Sequence, residues 1–348
     1  MAKKLSGHTH KHSGEDYGGL RCGIFASGFE PHPLIRNCHL QTILPVRLLR
    51  TRVDSIARER IELPDGDFVD IDWMGSDEIP VREGRDIVLL LHGLTGSSSS
   101  QYIQSVASAL LSSELQPVAL NFRGASGEIN RMPYAYHSGH TVDIDFILRI
   151  LSDRFPASKL FVAGFSLGAN ALLKYLGETS DPIDVSGAVA VSVPYQLDRV
   201  ARHLDRPAAA FYRRSLMKSM KAFIRQKASL LPREIDVSRG LQTQSFYEFD
   251  DVFTAPLNGF RDVDDYYSRS SCLQYLSSIR VPVLLIGASD DLFMPKGMFP
   301  AQDQLSDTTR LEISEHGGHV GFIGRGQGLR CKHWLPGRII RFFDGCSD

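Results

Sequence analysis

Apolar positions run along this chain in two rhythms. Five stretches are almost continuously hydrophobic: "IVLLLHG" (87–93), "PVALNF" (117–122), "LFVAGF" (160–165), "SGAVAVSV" (186–193) and "PVLLIG" (282–287). Strands buried on both faces read this way, because helices cover each side of a parallel sheet. Between them, apolar residues recur every three or four positions. Ile103, Val106, Ala107 and Leu110 form one stripe within 101–115, and Ile144, Ile147, Leu148 and Leu151 another within 141–155. Ala169, Leu172, Leu173 and Leu176 do the same in 169–177, where Gly177 reads as the residue that ends a helix. This alternation predicts right-handed crossovers and a mostly parallel, doubly wound α/β sheet. Earlier, "RERIELPDGDFVDIDW" (58–73) reads as two strands around the turn "PDGD". There Val69, Ile71 and Trp73 alternate with Asp70 and Asp72, as on a half-exposed strand at an antiparallel N-terminal edge.

The rhythm breaks between about 197 and 275. A basic helical segment, "RRSLMKSMKAFIRQK" (213–227), is followed by "SFYEFDDVFTAPLNGFRDVDDYY" (245–267), rich in aromatics and acids. An insertion at this point lies over the C-terminal ends of the strands, where open α/β sheets bind ligands. It is expected to form a helical cap. The sheet then resumes with "PVLLIG" and "RLEIS" (310–314), and a last helix over 335–345 opens near Pro336. Residues 1–20 read as a flexible tail, and 21–348 as one α/β domain carrying the cap. In the tail, His8, His10 and His12 of "HTHKH" fit a mobile polar segment better than a metal site.

Composition narrows the class. Of 348 residues, 43% are hydrophobic and 23% charged, as in soluble globular proteins. A net charge of −1 argues against a nucleic-acid partner. The five cysteines are scattered and odd in number, which fits free thiols in a reducing cytoplasm. No apolar stretch follows the N-terminus and no run of 18 apolar residues occurs, so neither a secretory signal nor a membrane-spanning helix is expected.

The chemistry gathers where "FVAGFSLGAN" (161–170) stops being apolar. A strand delivers Ser166 and a helix leaves at once. Gly164 and Gly168 lack the Cβ that would keep the two apart, so the serine is forced into a strained turn above the sheet edge. A serine hydroxyl needs a base. After the last strand, "RLEISEHGGHVGF" offers His316 and His319, and His319 among its small neighbours is the better placed. The acid is sought after the preceding strand, in "LLIGASDDLFMP". The spacing Asp-x-x-x-Pro selects Asp291, with Asp290 as the alternative. Donors for an oxyanion are expected from the amide of Leu167 and from that of Leu94 or Thr95 in "HGLTGSSSS", with His92 shaping that loop.

Several segments then resemble one subgroup of the α/β-hydrolase superfamily, the YheT-like hydrolases of the abhydrolase lineage. They are "NCHLQTILP" (37–45), "LLLHGLTGSSSSQYI", "NFRGASGEINRMPYAYHSGHT" (121–141), "AGFSLGAN", "DDVFTAPLNGFRDVDDYY" and "GGHVGF", spanning 37 to about 340. The resemblance implies a serine esterase acting on carboxylic esters, some lipid-like, with the triad Ser166, Asp291 and His319 and no cofactor. The expected partner is a small-molecule ester. Acyl transfer by the same triad, or ligand binding without catalysis, are the alternatives. Arg123 and Ser126 either line the pocket or hold its loop. Tyr266, Tyr267, Phe253 and Phe260 are candidates for an acyl pocket. In 213–227, Leu216, Met220 and Ile224 form one stripe, while Arg214, Lys218, Lys221, Arg225 and Lys227 crowd other positions. Such a helix packs its stripe on the protein and can also make weak contact with an anionic membrane surface.

Overall fold

The computed structural model describes residues 21–49, 51–80, 84–181, 183–327 and 330–347. The expected tail and its three histidines lie outside them. Alternate residues of each apolar run go to opposite faces of one sheet. In β4 (Ile87–Leu91), Ile87, Leu89 and Leu91 join one core, and Val88 and Leu90 the other. In β6 (Leu160–Phe165), Leu160 and Val162 face the first core, and Phe161, Ala163 and Phe165 the second.

The chain enters through β1 (Gly23–Ala26), then α1 (Cys38–Ile43) and α2 (Pro45–Leu48), before the hairpin β2 (Ile56–Glu62) and β3 (Phe68–Met74). After β4 come α3 (Gln101–Leu111), β5 (Gln116–Asn121), α4 (Val142–Arg154), β6, α5 (Leu167–Glu178) and β7 (Gly187–Val191). Six helices follow: α6 (Leu197–Leu204), α7 (Ala210–Lys227), α8 (Val237–Gln242), α9 (Phe246–Phe249), α10 (Ala255–Leu257) and α11 (Val263–Ser270). A π-helical turn, Asp250–Thr254, joins α9 to α10. The chain closes with β8 (Val283–Ala288), β9 (Thr309–Ser314), the small ribbon β10 (Ile323–Arg325) and β11 (Cys331–His333), and α12 (Trp334–Ser347). Among the described residues the main sheet has nine strands in the order β1-β9-β8-β7-β6-β4-β5-β3-β2. Pairing is parallel except at the β2–β3–β5 edge. No described helix is long and apolar enough to cross a membrane.

Three local expectations change. β3 is buried throughout, not half-exposed. Its register sets Asp70 opposite Arg60 and Asp72 opposite Arg58, and each arginine donates two hydrogen bonds to its carboxylate across the strands. The acids are buried because fork-shaped partners cover them. Gly177 does not end its helix, which runs to Glu178. It admits a neighbour instead, since a Cβ there would stand 2.2 Å from the Tyr275 carbonyl oxygen. Lys227, expected among exposed charges, is fully buried, its ammonium donating to Asn130 Oδ1 (2.6 Å) and the Met132 carbonyl. β1, which the pattern did not announce, pairs parallel with β9.

Candidate active site

In a parallel sheet, successive strands end on one edge. Here that edge receives the loops after β4, β6, β8 and β9. Ser166 leaves β6 and opens α5, with its backbone at φ +52° and ψ −117°. A side chain other than glycine holds that conformation only under constraint. The constraint is close approach: a Cβ at Gly164 would lie 2.7 Å from the Gly168 carbonyl oxygen, and one at Gly168 2.5 Å from that of His92. Strand and helix meet backbone to backbone, leaving the serine at the tip of the turn.

The loop after β9 brings His319 Nε2 to 3.0 Å from Ser166 Oγ. On the other side of the ring, Nδ1 stands 2.9 and 3.2 Å from the two carboxylate oxygens of Asp291. Facing a carboxylate, Nδ1 carries the proton, and Nε2 is left to accept the serine hydroxyl. Asp291 is buried, and its Oδ1 also accepts the Phe293 N–H at 2.9 Å. The adjacent Asp290 points elsewhere. It accepts the Gly318 N–H at 2.9 Å and lies 3.5 Å from His316 Nδ1, while burial pushes its carboxyl up. Asp290 and His316 brace the loop; Asp291 meets His319, and His319 meets the serine.

That bracing is extensive. Gly317, Gly318, Val320 and Phe322 all have positive φ, and the Val320 N–H is held by Ser192 Oγ at 3.1 Å. The His319 N–H donates to Thr42 Oγ1 at 3.0 Å, and that hydroxyl donates in turn to the Cys38 carbonyl. Neighbouring Gln41 is fully buried. Its amide donates to the carbonyls of Ile35 and Ile323 and accepts the Ile323 N–H. Phe293 stacks on the His319 ring with centroids 4.1 Å apart. Thr42, Gln41 and Phe293 escaped the reading of the sequence. "NCHLQTILP" stood out as a segment, but nothing in its spacing assigns a partner 277 residues away.

Beside Ser166, Leu94 and Leu167 border the cavity, and among the described residues the N–H of neither meets an acceptor. Thr95 is already engaged, donating its N–H to the Tyr136 hydroxyl at 2.9 Å. His92 is buried; its Nε2 accepts the Phe122 N–H and its Nδ1 donates to the Gly93 carbonyl. Burial lowers its pKa to about 4, so the ring is a neutral strut for this loop.

These groups open onto a cavity of about 670 Å³ whose wall includes Leu197, Leu204, Leu216, Met220, Phe249 and Phe253. Tyr266 and Tyr267 border it, whereas Phe260 packs behind Tyr266 at 5.2 Å. Arg123 and Ser126 turn away. Arg123 is buried among Asp65, Asp67 and Asp143, and Ser126 donates to Asp70; Gly124 and Ala125 form the wall instead.

The family model described as alpha/beta hydrolase fold matches residues 86–325. The chain belongs to the α/β-hydrolase family. It is 37% identical over 320 residues to YheT of Escherichia coli (strain K12), which is named an esterase, across 90% of this chain and 93% of that one. Phospholipase ABHD3 of Mus musculus is 30% identical over 309 residues, covering 87% and 75% of the two chains. A monoacylglycerol lipase of Saccharomyces cerevisiae is 28% identical over 268 residues, covering 75% and 59%. Among solved structures, an esterase of Pyrococcus furiosus superposes with a TM-score of 0.54 at 20% identity, over 83% of this chain and 91% of that one, and so shares the fold. For an α/β hydrolase, the order Ser166, Asp291, His319 along the chain matches the strand order of the architecture. The N-terminal α1 segment, which steadies His319, lies outside the span that the family model matches.

Proposed function

We propose that this chain hydrolyses carboxylic esters through an acyl-enzyme. Ser166 Oγ attacks the ester carbonyl while His319 Nε2 takes its proton. Asp291 keeps the imidazole in the required tautomer and stabilises the imidazolium. The Leu94 and Leu167 amides receive the oxyanion. His319 then returns the proton to the departing alkoxide. Water, activated by the same histidine, releases the acid and restores the serine. The route runs on side chains and water, without a cofactor.

The observation that carries this reading is the continuous hydrogen-bond relay from Ser166 through His319 to Asp291, at 3.0 and 2.9 Å, on the wall of a mainly apolar cavity. The enzyme class is that of the relatives named esterase, phospholipase and monoacylglycerol lipase. In this reading, helices α6 to α11 are the cap, and their aliphatic and aromatic side chains receive the acyl portion. We include a peripheral partner: α7 and the α1–α2 segment rest on an anionic lipid surface. Arg214, Lys218 and Arg225 are exposed on α7, as are Phe211 on α7, Leu40 and Ile43 on α1 and Leu48 on α2.

Fluorophosphonate labelling and turnover of p-nitrophenyl esters of graded acyl length test the reading. Ser166→Ala is expected to abolish labelling. Asp291→Asn should lower kcat about 10⁴-fold, by the loss of the tautomer, with Asp290→Asn far milder. Equal losses in the two aspartate variants, or labelling that survives Ser166→Ala, contradict the assignment. Products formed with added alcohols separate hydrolysis from acyl transfer.

A further inference from the structure

Asp250 is a buried acid that the triad does not use. It opens the π-helical turn Asp250–Thr254, a distortion often found at functional sites. One carboxylate oxygen accepts the Thr254 hydroxyl at 2.5 Å, and the other the Tyr267 hydroxyl at 2.7 Å. Among the described residues no lysine, arginine or histidine pairs with it. Asp250, Thr254 and Tyr267 all border the cavity that holds Ser166, alongside Phe246, Phe249 and Phe253.

An ionised acid in such a wall is expensive unless it is fully satisfied. A carboxylate offers about four lone-pair positions, and two donors occupy this one. Burial pushes its carboxyl up to about 6, so it is charged at neutral pH only against resistance. Packing alone does not call for such a group, since an asparagine of the same shape would bond the same two hydroxyls without the charge. What the arrangement retains is spare acceptor capacity on a residue of the cavity wall, fixed in direction by two hydroxyls.

We propose that Asp250, oriented by Thr254 and Tyr267, is a specificity subsite for a hydrogen-bond donor on the substrate. This rests on the ester-cleaving reading and deepens it: the preferred ester is apolar along its chain and carries an O–H or N–H donor. A polyol hydroxyl and the ammonium of an amino alcohol share that chemistry. Tyr267→Phe removes one orienting hydroxyl and keeps the charge, so it should weaken the preference without abolishing it. Asp250→Asn removes the charge and half the acceptor capacity.

Calorimetric binding of non-hydrolysable ethers is the test, because it needs no turnover. The probes are an octyl ether of glycerol, an octyl ether of aminoethanol, and the glycerol ether with both hydroxyls methylated. The folded wild-type protein should bind at least one of the first two about tenfold more tightly than the methylated control. The tighter of the two names the donor. In Asp250→Asn this ratio should fall to within about twofold. Equal binding of all three by the wild type overturns the proposal, whether or not the variant folds. A preference that persists undiminished in Asp250→Asn overturns it as well. Matched octanoate esters assayed in parallel keep the two readings apart. If the ethers are discriminated but no ester is cleaved, the subsite stands and the ester-cleaving reading falls. If esters are cleaved and the ethers bind alike, the reverse holds.

Discussion

Asp250 titrates in the opposite sense to most carboxylates that fold into ion pairs. Its carboxyl is raised to about 6, against an ordinary value of 3.8. The folded state therefore favours the protonated form. This group's contribution to stability is complete below about pH 4 and is lost as pH rises through 6. A rise of that size separates the two protonation states by roughly 2–3 kcal/mol. Asp250→Asn should therefore gain clearly more stability over the wild type at pH 8 than at pH 4.5, where only about a third of the penalty is present, as urea unfolding would read. A constant difference at both values would mean that the carboxylate is not held under penalty. At the same scale, the proline four residues after Asp291 favoured it over Asp290 in the sequence without separating the two. Asp250 was not legible, because burial without a counter-charge leaves no trace in a string of residues.

Elements were legible wherever one rule governed them. The five continuous apolar runs became β4 to β8, since a strand covered on both faces tolerates nothing else. The amphipathic segments became α3, α4 and α5 for a similar reason. Legibility failed where a distant partner decides. Asp70 and Asp72 look solvent-facing until Arg60 and Arg58 arrive from β2, and Lys227 looks like one more surface charge until the Asn130 loop encloses it. The short α1 shows this most sharply. It has no apolar stripe of its own, yet Thr42 and Gln41 hold the loop of His319. Thr42→Val should leave the His319 N–H without its acceptor, at about 1–3 kcal/mol. We expect kcat to fall about tenfold or more with a much smaller change in KM, because His319 loses its brace while the near-isosteric valine keeps the shape of the cavity wall that Thr42 helps to form. A change confined to KM would place Thr42 in substrate binding instead.

Over the whole molecule, charge is segregated. Residues 31–53 contain four arginines, and residues 206–233 eight lysines and arginines, with no aspartate or glutamate in either, although the net charge is only −1. The two segments meet: the His39 ring stacks on Tyr212, with Nδ1 2.8 Å from its hydroxyl, and both segments border the cavity. Not every cation is free, since Lys221 donates to the Thr243 carbonyl. Each exposed one near an anionic bilayer contributes about 1 kcal/mol. Sedimentation with phosphatidylglycerol vesicles should show binding at about 0.05 M salt that falls steeply by about 0.3 M. The triple variant Arg214→Gln, Lys218→Gln, Arg225→Gln should bind about tenfold or more weakly. Equal binding to neutral vesicles would remove the electrostatic component. A last consequence follows from the span between Thr42 and His319. During synthesis, Ser166 leaves the ribosome 153 residues before His319, whose N–H meets Thr42 only when the polypeptide folds back onto α1. On the proposed reading, a growing chain that stops short of His319 therefore carries its serine without a base.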